Sequence, residues 1–146
     1  MKTVKNYFKD YDAYHKTYGN KVTHIFGISI LVITVLGLLS HVTLFQWDLP
    51  IKASLALVVW VIGNLFYLKL HFKLGLTMIV STGIFMAAGS MLPVPVLWIL
   101  FVLGWIFQYI GHYVYEKKSP AFYKNLVHLM IGPAYIQNYF LKIVRW

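Results

Sequence analysis

Residues 74–115, LGLTMIVSTGIFMAAGSMLPVPVLWILFVLGWIFQYIGHYVY, run for 42 positions without a lysine, arginine, aspartate or glutamate. As a single α-helix the stretch would be about 63 Å long at 1.5 Å per residue, roughly twice the ~30 Å hydrocarbon core of a bilayer. It therefore reads as two membrane spans joined by a turn. Pro93 and Pro95 mark the turn, because each removes a backbone donor and biases its predecessor away from helical geometry.

Working outward from this pair, residues 25–39 are almost wholly apolar and form a first span with their flanks. Residues 53–68 lie between Lys52 and Lys69 and form a second, slightly short span whose flanking lysines can reach the headgroups. Before the first span, residues 5–18 carry Tyr7, Tyr11, Tyr14 and Tyr18 at helical spacing with lysines between them, the pattern of an amphipathic helix lying at the interface, its tyrosines serving as anchors. Gly19-Asn20 reads as the end of that helix and the cap of the next. After the last span, Asn125, His128, Gln137 and Asn138 dilute residues 125–141 and Gly132-Pro133 interrupts them, so an interfacial or re-entrant helix pair is expected there in preference to a fifth span. The predicted fold is all-α: one domain over 1–146, a polytopic membrane bundle of four transmembrane helices with an amphipathic helix before it and an interfacial or re-entrant segment after it.

Composition supports a bilayer environment. The 146 residues are 60% hydrophobic and 12% charged, with a mean hydropathy of +0.68, more apolar surface than one small water-facing domain can cover. A net charge of +9 suits anionic lipid headgroups. It does not suit nucleic acid, since the lysines fall in short clusters between apolar runs rather than on one polar face. Without cysteine, any metal must be held by His, Asp, Glu or amide groups. No small-residue cleavage site follows the first apolar run, so a removable signal peptide is not expected.

Lysines alternate between loops: five before the first span, two at 69–73 and three at 116–124, against Lys52 alone at 41–52 and none at 92–95. The positive-inside rule then puts both termini in the cytoplasm. His15, His24, His71 and His112 all come to that face, and His41 to the other. Gln108, His112 and Glu116 are spaced i, i+4, i+8, a stripe along one face of the fourth span that is costly beside lipid. Glu116 is the only glutamate, and four residues from a histidine it can ligate, orient or act as a base. His15 and His24 are nine apart, on opposite sides of a continuous helix, but a chain break between them lets both face one centre. Three histidines with a nearby carboxylate make an open site for a divalent transition metal, and imidazole serves iron and zinc alike. His71 and His128 are weaker additions to the set. On these grounds an oxidative iron enzyme, a zinc-dependent intramembrane hydrolase and a noncatalytic scaffold or transporter all stay open.

Tyr14-His15 with Asn20, His24 and Gly27, together with GWIFQYIGHYVYEKKSPA at 104–121 and Asn125, resembles the Mpo1-like family over nearly the whole chain. Gln108, Gly111, His112, Glu116, Pro120 and Ala121 all fall where its pattern expects them. The resemblance implies an Fe(II)-dependent dioxygenase of fatty-acid α-oxidation that uses O2 to shorten a 2-hydroxy fatty acid by one carbon. It implies His15, His24 and His112 as iron ligands, and Asn20, Gln108 and Glu116 as residues that orient them or move protons. On the same reading the acyl chain lies among the helices, and Lys21 or Lys117 attracts the carboxylate. Such a protein is expected in a bacterial inner membrane, or in the endoplasmic reticulum of a eukaryote.

Overall fold

A computed structural model describes residues 3–45, 53–123 and 125–145. Lys2, Lys52 and Lys124, which entered the charge count, lie outside the described residues. Six α-helices follow in order: α1 Val4–Tyr14, α2 Tyr18–Ser40, α3 Leu55–Leu70, α4 Phe72–Ser90, α5 Val94–Tyr109 and α6 Val127–Leu141. Three helical segments, Tyr18–Ser40, Phe72–Ser90 and Val94–Glu116, are long and apolar enough to cross a membrane; α3, at 16 residues, is a shorter apolar helix. Ile62, Val80, Ile84 and Ile99, apolar and mostly exposed on the outer faces of α3 to α5, suit lipid contact.

The long uncharged run does turn back on itself. α4 ends at Ser90, and α5 begins after Pro93 with Pro95 in its first turn, where a missing N–H costs nothing. The packing of α2 against α5 and α4 depends on small residues. A Cβ on Gly104 would lie 3.2 Å from the Gly27 carbonyl oxygen, and one on Gly37 only 2.9 Å from that of Gly89. Backbones approach this closely in membranes because dispersion and interhelical contact, not the hydrophobic effect, must hold the helices together. Phe8, Leu74, Met78 and Ile131, all buried, join α1, α4 and α6 into a core at one end of the bundle.

Four expectations need correction. First, the second span begins late within an otherwise helical fold: β1, Thr43–Phe45, pairs antiparallel with β2, Ala53–Ser54, so α3 starts two residues after the second span was expected to begin. Second, the break before α2 falls at residues 15–17, not at Gly19-Asn20. Thr17 is the cap, its hydroxyl accepting from the Asn20 N–H, and Gly19 lies inside the helix, where the Tyr115 ring occupies the space a side chain would need. Third, 125–141 forms one helix and not a pair. Pro133 sits inside α6; the ring removes the N–H that would reach the Leu129 carbonyl, while Tyr67 donates to the neighbouring Met130 carbonyl at 2.9 Å. At 15 residues α6 is about 22 Å long, short of a hydrocarbon core. Fourth, the stripe Gln108–His112–Glu116 does not lie on one regular α-helix, since Ile110–Glu116 is a π-helical turn continuing α5.

Candidate metal centre

α1 ends at His15, whose backbone N–H returns to the Asp12 carbonyl, and its imidazole folds inward. Nδ1 lies 2.7 Å from the Tyr11 carbonyl oxygen, one turn back. His24, in the second turn of α2, repeats the arrangement with Nδ1 3.0 Å from the Asn20 carbonyl oxygen. A carbonyl can only accept, so both Nδ1 atoms carry the proton and both Nε2 atoms present a lone pair. His112 comes from the π turn, and its Nε2 lies 3.1 Å from that of His24. The three ring centroids form a near-equilateral triangle of 4.5, 4.7 and 4.9 Å. All three rings are buried, and one nitrogen from each falls within 4.8 Å of the others.

This convergence depends on Gly111. A Cβ there would lie 2.5 Å from Thr23 Oγ1, 2.7 Å from Asn20 Oδ1 and 2.7 Å from His24 Nδ1, so only glycine lets the π turn sit against α2. The wide turn is closed by Lys117, in the left-handed region at φ 55°, with the Lys117 and Lys118 N–H groups both reaching the His112 carbonyl. π turns of this kind occur mostly at functional sites. Glu116, the last residue of the turn, is not paired with the adjacent lysines. Its Oε1 accepts from the Thr17 N–H at 2.6 Å and from the Thr17 hydroxyl at 3.2 Å, so it ties the N-terminus of α2 to the end of α5, where the helix dipole favours an anion. Asn20 is fully buried, its amide donating to the Tyr14 carbonyl at 3.3 Å.

The donor set fits a transition ion. Two nitrogens bound at about 2.1 Å to one ion lie about 3.0 to 3.4 Å apart, which brackets the His24–His112 separation. Without an ion, that contact is satisfied only if His112 carries its proton on Nε2, and its Nδ1 is buried with no partner. A cation would use both lone pairs and move that proton to Nδ1. Gln108 Nε2 is likewise buried without a partner. Burial holds the His15 imidazole down to about 4, with the Tyr11 carbonyl opposing and His112 adding to the shift, so it stays neutral, as a ligand must be.

Of the weaker additions, neither joins the cluster. His71 is consumed as the cap of α4, its Nδ1 accepting from the Leu74 N–H at 3.3 Å, and His128 lies edge-on to Tyr14 with centroids 6.0 Å apart. His41 is at the far end, against the Leu92 carbonyl. Tyr11 is not an interface anchor: it is buried and stacked on His15, with ring centroids 3.8 Å apart. That role was hidden because a tyrosine at helical spacing reads alike whether its ring meets headgroups or a histidine.

The triad stands at the head of a cavity of about 350 Å3 running between the helices. His15, His24, His112 and Gln108 line one end, and Leu31, Val35, Leu36, Phe101 and Trp105 line walls that are overwhelmingly apolar. From His24 to Leu36 along α2 is twelve residues, about 18 Å. A polar head meeting the imidazoles while an alkyl chain fills the remainder is the ligand shape this space admits.

The comparisons with known proteins agree with this shape. The family description "2-hydroxy-palmitic acid dioxygenase Mpo1-like" matches residues 1–143. The 2-hydroxy-palmitic acid dioxygenase MPO1 of Saccharomyces cerevisiae is 31% identical over 136 residues, covering 90% of this chain and 75% of the yeast protein. No solved structure matches. With a family match over nearly its full length and a relative 31% identical that covers 90% of it, the chain belongs to the Mpo1-like family.

Proposed function

We propose that this protein is an Fe(II)-dependent dioxygenase that shortens 2-hydroxy fatty acids by one carbon with O2. The observation that carries the reading is the position of three buried imidazoles at the polar end of an acyl-sized apolar cavity. His15, His24 and His112 hold the ion, and ferrous iron supplies the dioxygen chemistry for oxidative loss of the carboxyl carbon. The backbone carbonyls of Tyr11 and Asn20 fix two of the ligands by holding their Nδ1 protons. Gln108 lines the head of the cavity beside the triad, and the apolar walls hold the chain and exclude water from the head. Glu116 keeps the entry of α2 docked on the π turn, so that His24 and His112 stay in register. The sequence's lysine distribution puts both termini and this head on the cytoplasmic face, where Lys21 and Lys117 attract the anionic substrate.

The test is anaerobic purification with metal quantitation, followed by oxygen uptake with 2-hydroxypalmitate. About one iron per chain and substrate-dependent uptake are expected, and His112→Ala loses both while keeping its helical content. Stoichiometric zinc with oxygen-independent turnover, or full iron retention in His112→Ala, refutes the reading.

A further inference from the structure

The cavity has a floor and two side walls. α2 is the floor: Ile28, Leu31, Val32 and Val35, one stripe at helical spacing beyond His24, all line it. α3 and α5 rise on either side, each packed along α2 but hardly touching one another. α3 is held from its other side, where Trp60 Nε1 and Asn64 Nδ2 donate to the Thr82 hydroxyl of α4 at 2.9 and 3.2 Å. The floor is left uncovered. Val35 is 38% exposed although α2 packs on α3, α4 and α5, and Val59, on the α3 wall, is 40% exposed. Because α2 and α5 belong to segments long and apolar enough to cross a membrane, the gap between α3 and α5 opens at the depth of the hydrocarbon core. Acyl chains are the solvent there, and water is not.

The histidine end offers a chain no comparable way in. Tyr11 stacks on His15 and packs against Tyr135, with ring centroids 4.6 Å apart, and the three imidazoles are between 2% and 4% exposed. A second cavity behind them, bordered by His15, Lys21, His24 and Tyr139, holds about 10 Å3, room for one water and not for a file of methylenes. Entry through water would also strip the chain from the bilayer, with about a fourfold loss of population for each methylene exposed.

We propose that the gap between α3 and α5 is a lateral portal, through which an acyl chain passes from the surrounding leaflet directly onto the α2 stripe. A fatty acid in the leaflet already has its head at the interface and its chain in the core, so it moves sideways without turning. Toward the triad the gap is bounded by α6, whose Met130 reaches α3 at Gly63; a Cβ on Gly63 would lie 3.7 Å from Met130 Cε and meet nothing else. No close backbone approach requires this glycine, and inside a helix glycine is less stable than alanine. The missing side chain and the flexible methionine tip leave the carboxylate room to follow the chain.

This rests on the acyl-cavity reading above, and one experiment separates the two. Native full-length protein in nanodiscs of phosphatidylcholine carrying a mid-chain diazirine is irradiated, and the adducts are located by peptide mass spectrometry. The phosphate head keeps this probe in the bilayer, so a chain that reaches α2 has come through the side. Adducts are expected on Val32 and Val35 as well as on the outer-face residues Ile84 and Ile99. Adding 2-hydroxypalmitate at about ten times its dissociation constant should lower the α2 adducts about tenfold and leave the outer ones unchanged. Adducts on the outer faces with none on the α2 stripe overturn the portal. Adducts on α2 that the acid fails to displace uphold the portal and overturn the acyl-cavity reading instead.

Discussion

Gly111→Ala tests the candidate centre through its geometry rather than its ligands. The added methyl would stand 2.5 Å from Thr23 Oγ1 and 2.7 Å from both Asn20 Oδ1 and His24 Nδ1, where ordinary contact begins at 3.4 Å. Relief therefore requires the π turn to retreat from α2 by about 0.9 Å. Neither Asn20 nor His24 can give way easily, since Asn20 is fully buried and its carbonyl holds the His24 ring. The retreat carries His112 with it, and its Nε2–Nε2 separation from His24 opens from 3.1 Å to about 4 Å. That exceeds the span of about 3.0 to 3.4 Å available to two nitrogens on one ion. Overpacking of this size costs about 1 to 3 kcal/mol of stability, and misdirecting a ligand weakens metal affinity by about 10- to 100-fold. The assay is anaerobic titration with ferrous iron, or with cobalt as a spectroscopic surrogate, alongside thermal melting in detergent. Gly63→Ala is the control, because its Cβ would meet only Met130 Cε, at 3.7 Å, so metal affinity should not change. If Gly111→Ala binds metal as tightly as the wild type, the argument that this glycine sets the His24–His112 distance is wrong.

Three further outcomes follow from the same contacts. His15 titrates near 4 in the fold against about 6.5 when unfolded; the unfolded chain thus binds the extra proton, and the contribution of His15 to the stability of metal-free protein falls by about 3 kcal/mol between pH 6.5 and 4 and is gone below that. His15→Gln should flatten that part of the melting-temperature profile, and an unchanged slope counts against a buried neutral His15. Thr17→Val keeps the backbone donor to Glu116 but removes the hydroxyl that both bonds the carboxylate and caps α2; a loss of about 1 kcal/mol is expected by chemical denaturation, and none at all would show the cap to be idle. Leu36→Phe, at the deep end of the cavity, should shift the preferred 2-hydroxy acid toward chains roughly two or three carbons shorter in an oxygen-uptake series, and an unshifted optimum would mean that the chain does not reach this depth.

The membrane character and the pairing of residues 74–115 into two helices were legible because charge and proline report directly on solvent and backbone. The three clustered histidines were legible too, but their geometry was not. Two of them are aimed by carbonyls one turn back, and backbone acceptors have no sequence signature. The π turn was invisible for a related reason: its extra width is imposed by packing against α2, through Gly111, and not by the propensities of Ile110–Glu116. Glu116 gave no sign in the sequence of the residue that holds it. Its actual partner, Thr17, is 99 residues away. Asn64 carried a signal that passed unused: an amide inside a 16-residue apolar helix is expensive in lipid and calls for an interior contact.

Counting crossings is not what brings the histidines together. Contacts along α2 run downward in number along the facing segment: Asn20 and His24 meet Gly111, Gly27 meets Gly104, and Gly37 meets Leu97. The two segments are antiparallel neighbours in direct contact, so the start of α2 and the end of the α5–π segment share one end of the bundle by construction. The order of numbers alone would allow many registers. Glycines at 27 and 104 and at 111 select one, because only there can the backbones close without a side chain between them. A slip of one α-helical turn, about 5.4 Å, would carry the imidazoles out of reach of a common ion. Insertion of a full four-residue turn into α5 between Gly104 and Gln108 therefore preserves membrane insertion and the number of spans yet abolishes metal binding. Retention of metal by that insertion variant would show that the histidines find each other without the helix register.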